Sequence, residues 1–154
     1  MADGVPDTET AILDAALAEV LAHGIRRTTA SDIARRCGIA RQTLYRYWPD
    51  AQSVFAALVT RELVAALPAK LRDCADLDEL AGLLAETARR IAAGQQAGFV
   101  RSGDPQQLAA MVLLITQSAV QSAPLVAEWL PEDAWRTELA HALRGYLGSK
   151  AEVG

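Results

Sequence analysis

The sequence predicts an all-α protein, in which a small N-terminal three-helix unit of helix-turn-helix type is joined by a fourth helix to a short helical C-terminal part. Three observations carry this. Apolar residues recur at spacings of three and four along most of the 154 residues. Glycines, prolines and capping residues punctuate these runs where helices should start and stop. No segment alternates convincingly with the period of two that a half-buried strand requires. With 51% apolar residues the chain can bury one core of good size, or a small module beside a larger one.

From Thr8 to His23, the residues Ile12, Leu13, Ala16, Leu17, Val20 and Leu21 fall on one helical face, and Gly24 follows where a C-terminal cap is wanted. Thr29 and Asp32 form a Thr-x-x-Asp pattern that satisfies free amides at a helix start, and Ile33, Ala34 and Cys37 give this second helix an inward side. Gly38 tolerates a left-handed backbone, so the chain can turn sharply and open a third helix over Arg41 to Tyr47, with Leu44 inward. Pro49 drives Trp48 away from helical angles, and Asp50 can cap a fourth helix expected from Ala51 to about Leu67, stopped by Pro68. Two regions follow from this: residues 8–50, and residues 51–148.

Past Pro68, a helix is expected from Asp76 to Ala93, with Leu77, Leu80, Leu83, Leu84 and Ile91 inward, then a looser segment punctuated by Gly94, Gly98 and Gly103. Asp104 and Pro105 supply a cap and a first-turn proline for a helix to Ser122, which is apolar on more than one face and needs neighbours on several sides. Pro124 and Pro131 bracket a segment containing Trp129. From Asp133 a last helix presents Trp135, Leu139, Ala142, Leu143, Tyr146 and Leu147 at helical spacings.

Charge is distributed unevenly. The chain carries a net charge of −4, yet residues 24–48 hold six arginines against Asp32 alone, which confines the basic surface to one region. An α-helix fits the major groove of DNA, where arginine engages guanine edges and glutamine engages adenine, while tyrosine hydroxyls and helix N-termini hold phosphates. Arg41, Gln42, Thr43, Tyr45, Arg46 and Tyr47 offer that chemistry. A substrate-anion pocket or a merely solvated face are the competing readings of the same residues.

Other classes find little support. The longest strictly apolar stretch, Met111 to Ile115, is far short of the roughly 20 residues of a membrane span, and no secretion signal pattern opens the chain, so a cytoplasmic, non-membrane protein is expected. Cys37 and Cys74 lack C-x-x-C spacing, and His23 and His141 lie far apart, so reduced structural thiols and no metal are expected. With no Ser-His-Asp or Cys-His arrangement and no phosphate-binding glycine loop, neither an enzyme nor a cofactor is expected.

The run "AILDAALAEVLAHGIRRTTASDIARRCGIARQTLYRYWPDAQSVFAAL" resembles the DNA-binding domain of TetR (tetracycline-repressor-like) transcriptional regulators, over about residues 9–60. The matching residues include Ile12 to Ala16, His23-Gly24, Thr28-Thr29, Asp32-Ile33-Ala34, Gly38-Ile39 and Thr43 to Pro49. The resemblance implies a ligand-responsive repressor, binding a palindromic operator in double-stranded DNA as a homodimer, with a small apolar or amphipathic effector held in the C-terminal region. It also implies roles in backbone or base contact for Thr29 and Ser31. Ala51 stands where the family commonly has a phosphate-gripping lysine, and Ala40 where it often has a capping serine, a change that costs helix stability about 1 kcal/mol.

Only about 85 residues follow Pro68, which leaves room for fewer helices than the family commonly has, so the effector cavity should be reduced or absent. Leu84, Met111, Ile115, Gln117, Trp129 and Trp135 are the candidate lining residues. The alternative to a DNA-binding regulator is a helical small-molecule-binding or protein-adaptor module that no longer binds DNA.

Overall fold

The computed structural model describes residues 7–148. In chain order the helices are α1 (Thr8–His23), α2 (Ala30–Cys37), α3 (Arg41–Tyr47), α4 (Ala51–Asp73), α5 (Leu77–Ala97), α6 (Pro105–Val126) and α7 (Glu132–Leu147), with one turn of 3₁₀ helix, Ile25–Arg27, between α1 and α2. No β-strand occurs among the described residues, only an isolated antiparallel bridge between Val100 and Gly148. Two compact units divide between Leu58 and Val59, inside α4.

In the N-terminal unit the core is built from Ile12, Ala16, Ile33, Ala34, Leu44, Trp48 and Val54, all buried. Thr29 and Asp32 form a reciprocal capping box: the Asp32 amide donates to Thr29 Oγ1 at 3.2 Å, and the Thr29 amide donates to the Asp32 carboxylate at 3.0 Å. Gly38 ends α2 in the left-handed conformation, at φ 76°. No side chain caps α3 at Ala40. Asp50 caps the start of α4, accepting from the Ser53 amide at 2.7 Å and the Ser53 hydroxyl at 2.8 Å.

The face that α1 turns inward departs from expectation. Leu21 is 78% exposed, whereas Glu19 is buried. The reason lies on α2, whose Arg36 donates from Nε to Glu19 at 2.6 Å. A buried carboxylate needs such a partner. His23 Nε2 lies 3.6 Å from the same carboxylate.

In the C-terminal unit α5 packs on α6 and α6 on α7, and the core gathers Ile91, Leu108, Ala109, Val112, Leu139, Leu143 and Leu147. Three helices, α4, α5 and α6, outrun their expected ends. Helix α4 passes through Pro68 to Asp73. A proline in a helix removes one amide and strands the carbonyl four residues earlier; here the Val64 carbonyl accepts from Arg136 Nη1 at 3.4 Å, and Pro68 itself is fully buried. Helix α6 likewise continues beyond Ser122 and contains Pro124 near its end.

Helix α5 extends through Gly94 to Ala97, with Gly98 left-handed at φ 89° beyond it. The amides of Phe99 and Val100 both fold back onto the Gly94 carbonyl, and a Cβ at position 94 would collide with the Val100 side chain. Glycine at 94 therefore serves close approach inside the helix rather than a break in it. Arg101 then ties this corner to the end of α7, through its amide to the Leu147 carbonyl and its Nε to the Tyr146 carbonyl, each at 2.8 Å.

Candidate nucleic-acid interface

Helix α3 has one inward residue, Leu44, with no exposed surface. Arg41, Gln42, Tyr45, Arg46 and Tyr47 are exposed and Thr43 is half-buried. At 100° per residue, Gln42 and Arg46 lie along the line opposite Leu44, with Arg41 and Tyr45 on one flank and Thr43 and Tyr47 on the other. Arg41 lies against Tyr45: its Nε donates to the Tyr45 hydroxyl at 3.1 Å, and its guanidinium carbon is 5.3 Å from the ring centroid. Tyr47 is tilted against the buried Trp48.

Thr29 is exposed and Ser31 half-buried at the start of α2, but the Thr29 hydroxyl already donates to Asp32 at 2.6 Å. These hydrogen bonds from Thr29, helped by nearby Arg35, hold the Asp32 carboxyl below the ordinary carboxylate range. Asp32 is thus ionised at neutral pH, and the Arg35 guanidinium, 3.5 Å away, offsets it.

The arginines outside α3 are not equivalent. Arg26 and Arg27 stand exposed on the 3₁₀ turn. Arg36 is committed to Glu19, so its charge is locally neutralised and its side chain serves the packing of α2 on α1. Nothing in its local sequence distinguishes it from Arg35. No ion pair engages Arg26, Arg27, Arg41 or Arg46 among the described residues, which leaves four uncompensated cations in this unit around an exposed aromatic helix.

The C-terminal unit holds a groove of about 680 Å³ beside the ends of α4 and α5 and one side of α6. Leu84 and Gln117 line it, together with Leu71, Leu80, Leu113 and Leu114. The Gln117 Oε1 atom is buried and has no hydrogen-bond partner. The other candidate lining residues lie elsewhere: Trp135 is packed in the core, Ile115 is half-buried, Met111 is exposed, and Trp129 is 77% exposed. Cys74 also lines the groove, whereas burial pushes the Cys37 thiol up from its ordinary value, which makes it a poorer nucleophile. Among the described residues no cluster of His, Cys, Asp or Glu could hold a metal ion.

Two short helices about a left-handed glycine, the second presenting cations and aromatics to solvent, define a helix-turn-helix DNA-binding protein. Comparison with known proteins narrows the class. The profile of "Bacterial regulatory proteins, tetR family" matches residues 12–58. An uncharacterized HTH-type transcriptional regulator of Mycobacterium bovis is 36% identical, with 96% of this chain and 98% of that protein covered; a counterpart in Mycobacterium tuberculosis matches to the same extent. The structure of a SmeT–triclosan complex is similar at 19% identity and a TM-score of 0.45, covering 94% of this chain and 93% of that one.

The chain belongs to the tetR family of bacterial regulatory proteins, and is a DNA-binding transcriptional regulator rather than an enzyme. The alignment with the M. bovis relative runs over 185 positions, so about three dozen of them have no counterpart in this chain.

Proposed function

We propose that the protein is a homodimeric, ligand-responsive repressor that reads a palindromic operator, with residues 8–50 as the DNA-binding head and residues 51–148 as the regulatory and dimerising body. The observation that carries this reading is the exposure of Arg41, Gln42, Tyr45, Arg46 and Tyr47 on a helix whose one buried side chain is Leu44. Arg41, Gln42, Tyr45 and Arg46 meet base edges in the major groove, while Thr43 and Tyr47 on the far flank meet phosphates. Thr29 and Ser31 at the start of α2 meet the backbone beside them, and Arg26 and Arg27 replace part of the attraction lost with a lysine at position 51. Such a regulator acts in the cytoplasm, where the DNA is.

Homodimerisation is supported by α6. This helix contains no charged residue and exposes Met111, Leu114 and Leu125. It is long and apolar enough to cross a membrane, yet most of its apolar stretch is exposed or half-buried. A second copy satisfies such a face, and twofold symmetry then matches a palindrome. Trp135, Leu139 and Leu143 of α7 are already consumed by the core, so α6 supplies most of the apolar contact. The effector occupies the groove of about 680 Å³, whose lining is mainly leucine with one unsatisfied amide oxygen on Gln117, a setting for a small apolar or amphipathic molecule.

A gel-shift measurement with the DNA upstream of the gene tests the reading. Arg46→Ala and Tyr47→Ala should each weaken binding, and the double variant should bind at least tenfold more weakly, the scale of one good base contact (about 1–3 kcal/mol). Undiminished binding by the double variant would remove α3 as the contact surface.

A further inference from the structure

A guanidinium offers two edges on which a planar acceptor can be held at two points: the side edge, Nε with one terminal nitrogen, and the end edge formed by the two terminal nitrogens. In Arg41 the side edge is occupied, because Nε donates to the Tyr45 hydroxyl at 3.1 Å. The ring of the same tyrosine lies against the guanidinium, 5.3 Å from centroid to central carbon, and adds a cation–π attraction. The two residues are one helical turn apart on one flank of α3, so contact needs no bend in the backbone.

We infer that Tyr45 is a positioning residue that commits Arg41 to an end-on approach, making the pair the reader of a guanine in each operator half-site. An arginine left with only its end edge addresses an acceptor lying straight ahead of it. In a major groove that acceptor is a base edge, and guanine, through O6 and N7, presents the two acceptors that the end edge matches. A phosphate also offers two oxygens to the end edge, and the test below separates the two, since loss of a phosphate contact lowers affinity evenly over all sequences. Because the Tyr45 oxygen accepts from Arg41, its own proton stays free for a nearby DNA acceptor, and the latch persists in the complex. No ion pair competes for Arg41 among the described residues.

This inference rests on the regulator reading of α3, and the experiment separates the two. DNA is selected from a random pool with the full-length protein and with its Tyr45→Phe, Arg41→Ala and Tyr47→Phe variants, and each recovered pool is sequenced. Tyr45→Phe keeps the ring and removes only the hydroxyl, so the fold is preserved. The wild-type pool should show a fixed guanine in each half-site. Tyr45→Phe should relax preference at that position about tenfold while the others hold, Arg41→Ala should abolish it, and Tyr47→Phe should leave it intact. The salt dependence of Tyr45→Phe should match wild type, since no cation is lost. A Tyr45→Phe pool as guanine-selective as wild type, or a loss of affinity spread evenly over all sequences, overturns the inference. A wild-type pool with no shared motif overturns the regulator reading beneath it.

Discussion

Leu44 shows how much one side chain decides in this head. It is fully buried in a seven-residue helix whose remaining side chains are exposed or half-buried, so it alone anchors the helix by its own burial. Leu44→Ala should cost about 2–5 kcal/mol of stability, measured by urea unfolding, and should reduce DNA affinity as the helix loosens. A stability loss under about 1 kcal/mol would mean that the helix is held by other contacts. That Leu44 points inward was legible, because it is the one aliphatic residue between Arg41 and Tyr47. The burial of Glu19 was not, because helical periodicity ranks residues by polarity, whereas the Arg36 guanidinium that satisfies this carboxylate comes from a different helix, seventeen residues away.

At the scale of elements, the capping box of α2 sets where the helix-turn-helix begins. Thr29→Ala should destabilise the protein by about 1 kcal/mol, read from the denaturation midpoint. The pH dependence has a definite sign. The folded-state pKa of Asp32 is depressed, so its contribution is fully present above the unfolded carboxylate value near 3.8 and is lost as pH falls through the lower folded value. Asp32→Asn should therefore flatten stability in that acidic window and leave the slope near neutrality unchanged.

In α5, Gly94→Ala gains helix propensity of about 1 kcal/mol but pushes a methyl into Val100 and Phe99, and overpacking costs about 1–3 kcal/mol. Net destabilisation in thermal unfolding is expected, and a stabilised variant would show that the corner yields easily. The sequence marks Gly94 and Pro68 as breaks because each usually is one. Both sit inside helices here, since the folded-back Phe99–Val100 corner needs the missing Cβ and Arg136 takes up the carbonyl freed by Pro68.

For the whole molecule, the uncharged helix α6 leads to a testable association. Leu114, at the edge of the groove, is 65% exposed. Leu114→Glu should shift the protein from dimer toward monomer in sedimentation velocity and weaken operator binding together with it, because a half-site contact alone is weak. A dimer of unchanged strength would place the contact on another surface.

By itself the sequence determined the helix count, most of the caps and the outward row of α3, because these follow from local periodicity and from side chains bonding to nearby backbone. Only the tertiary structure decided which arginine is spent on Glu19, which proline and glycine stay inside a helix, and which predicted lining residues meet at the groove. Each of those depends on a partner distant in the chain, and no local pattern of residues encodes where such a partner will arrive.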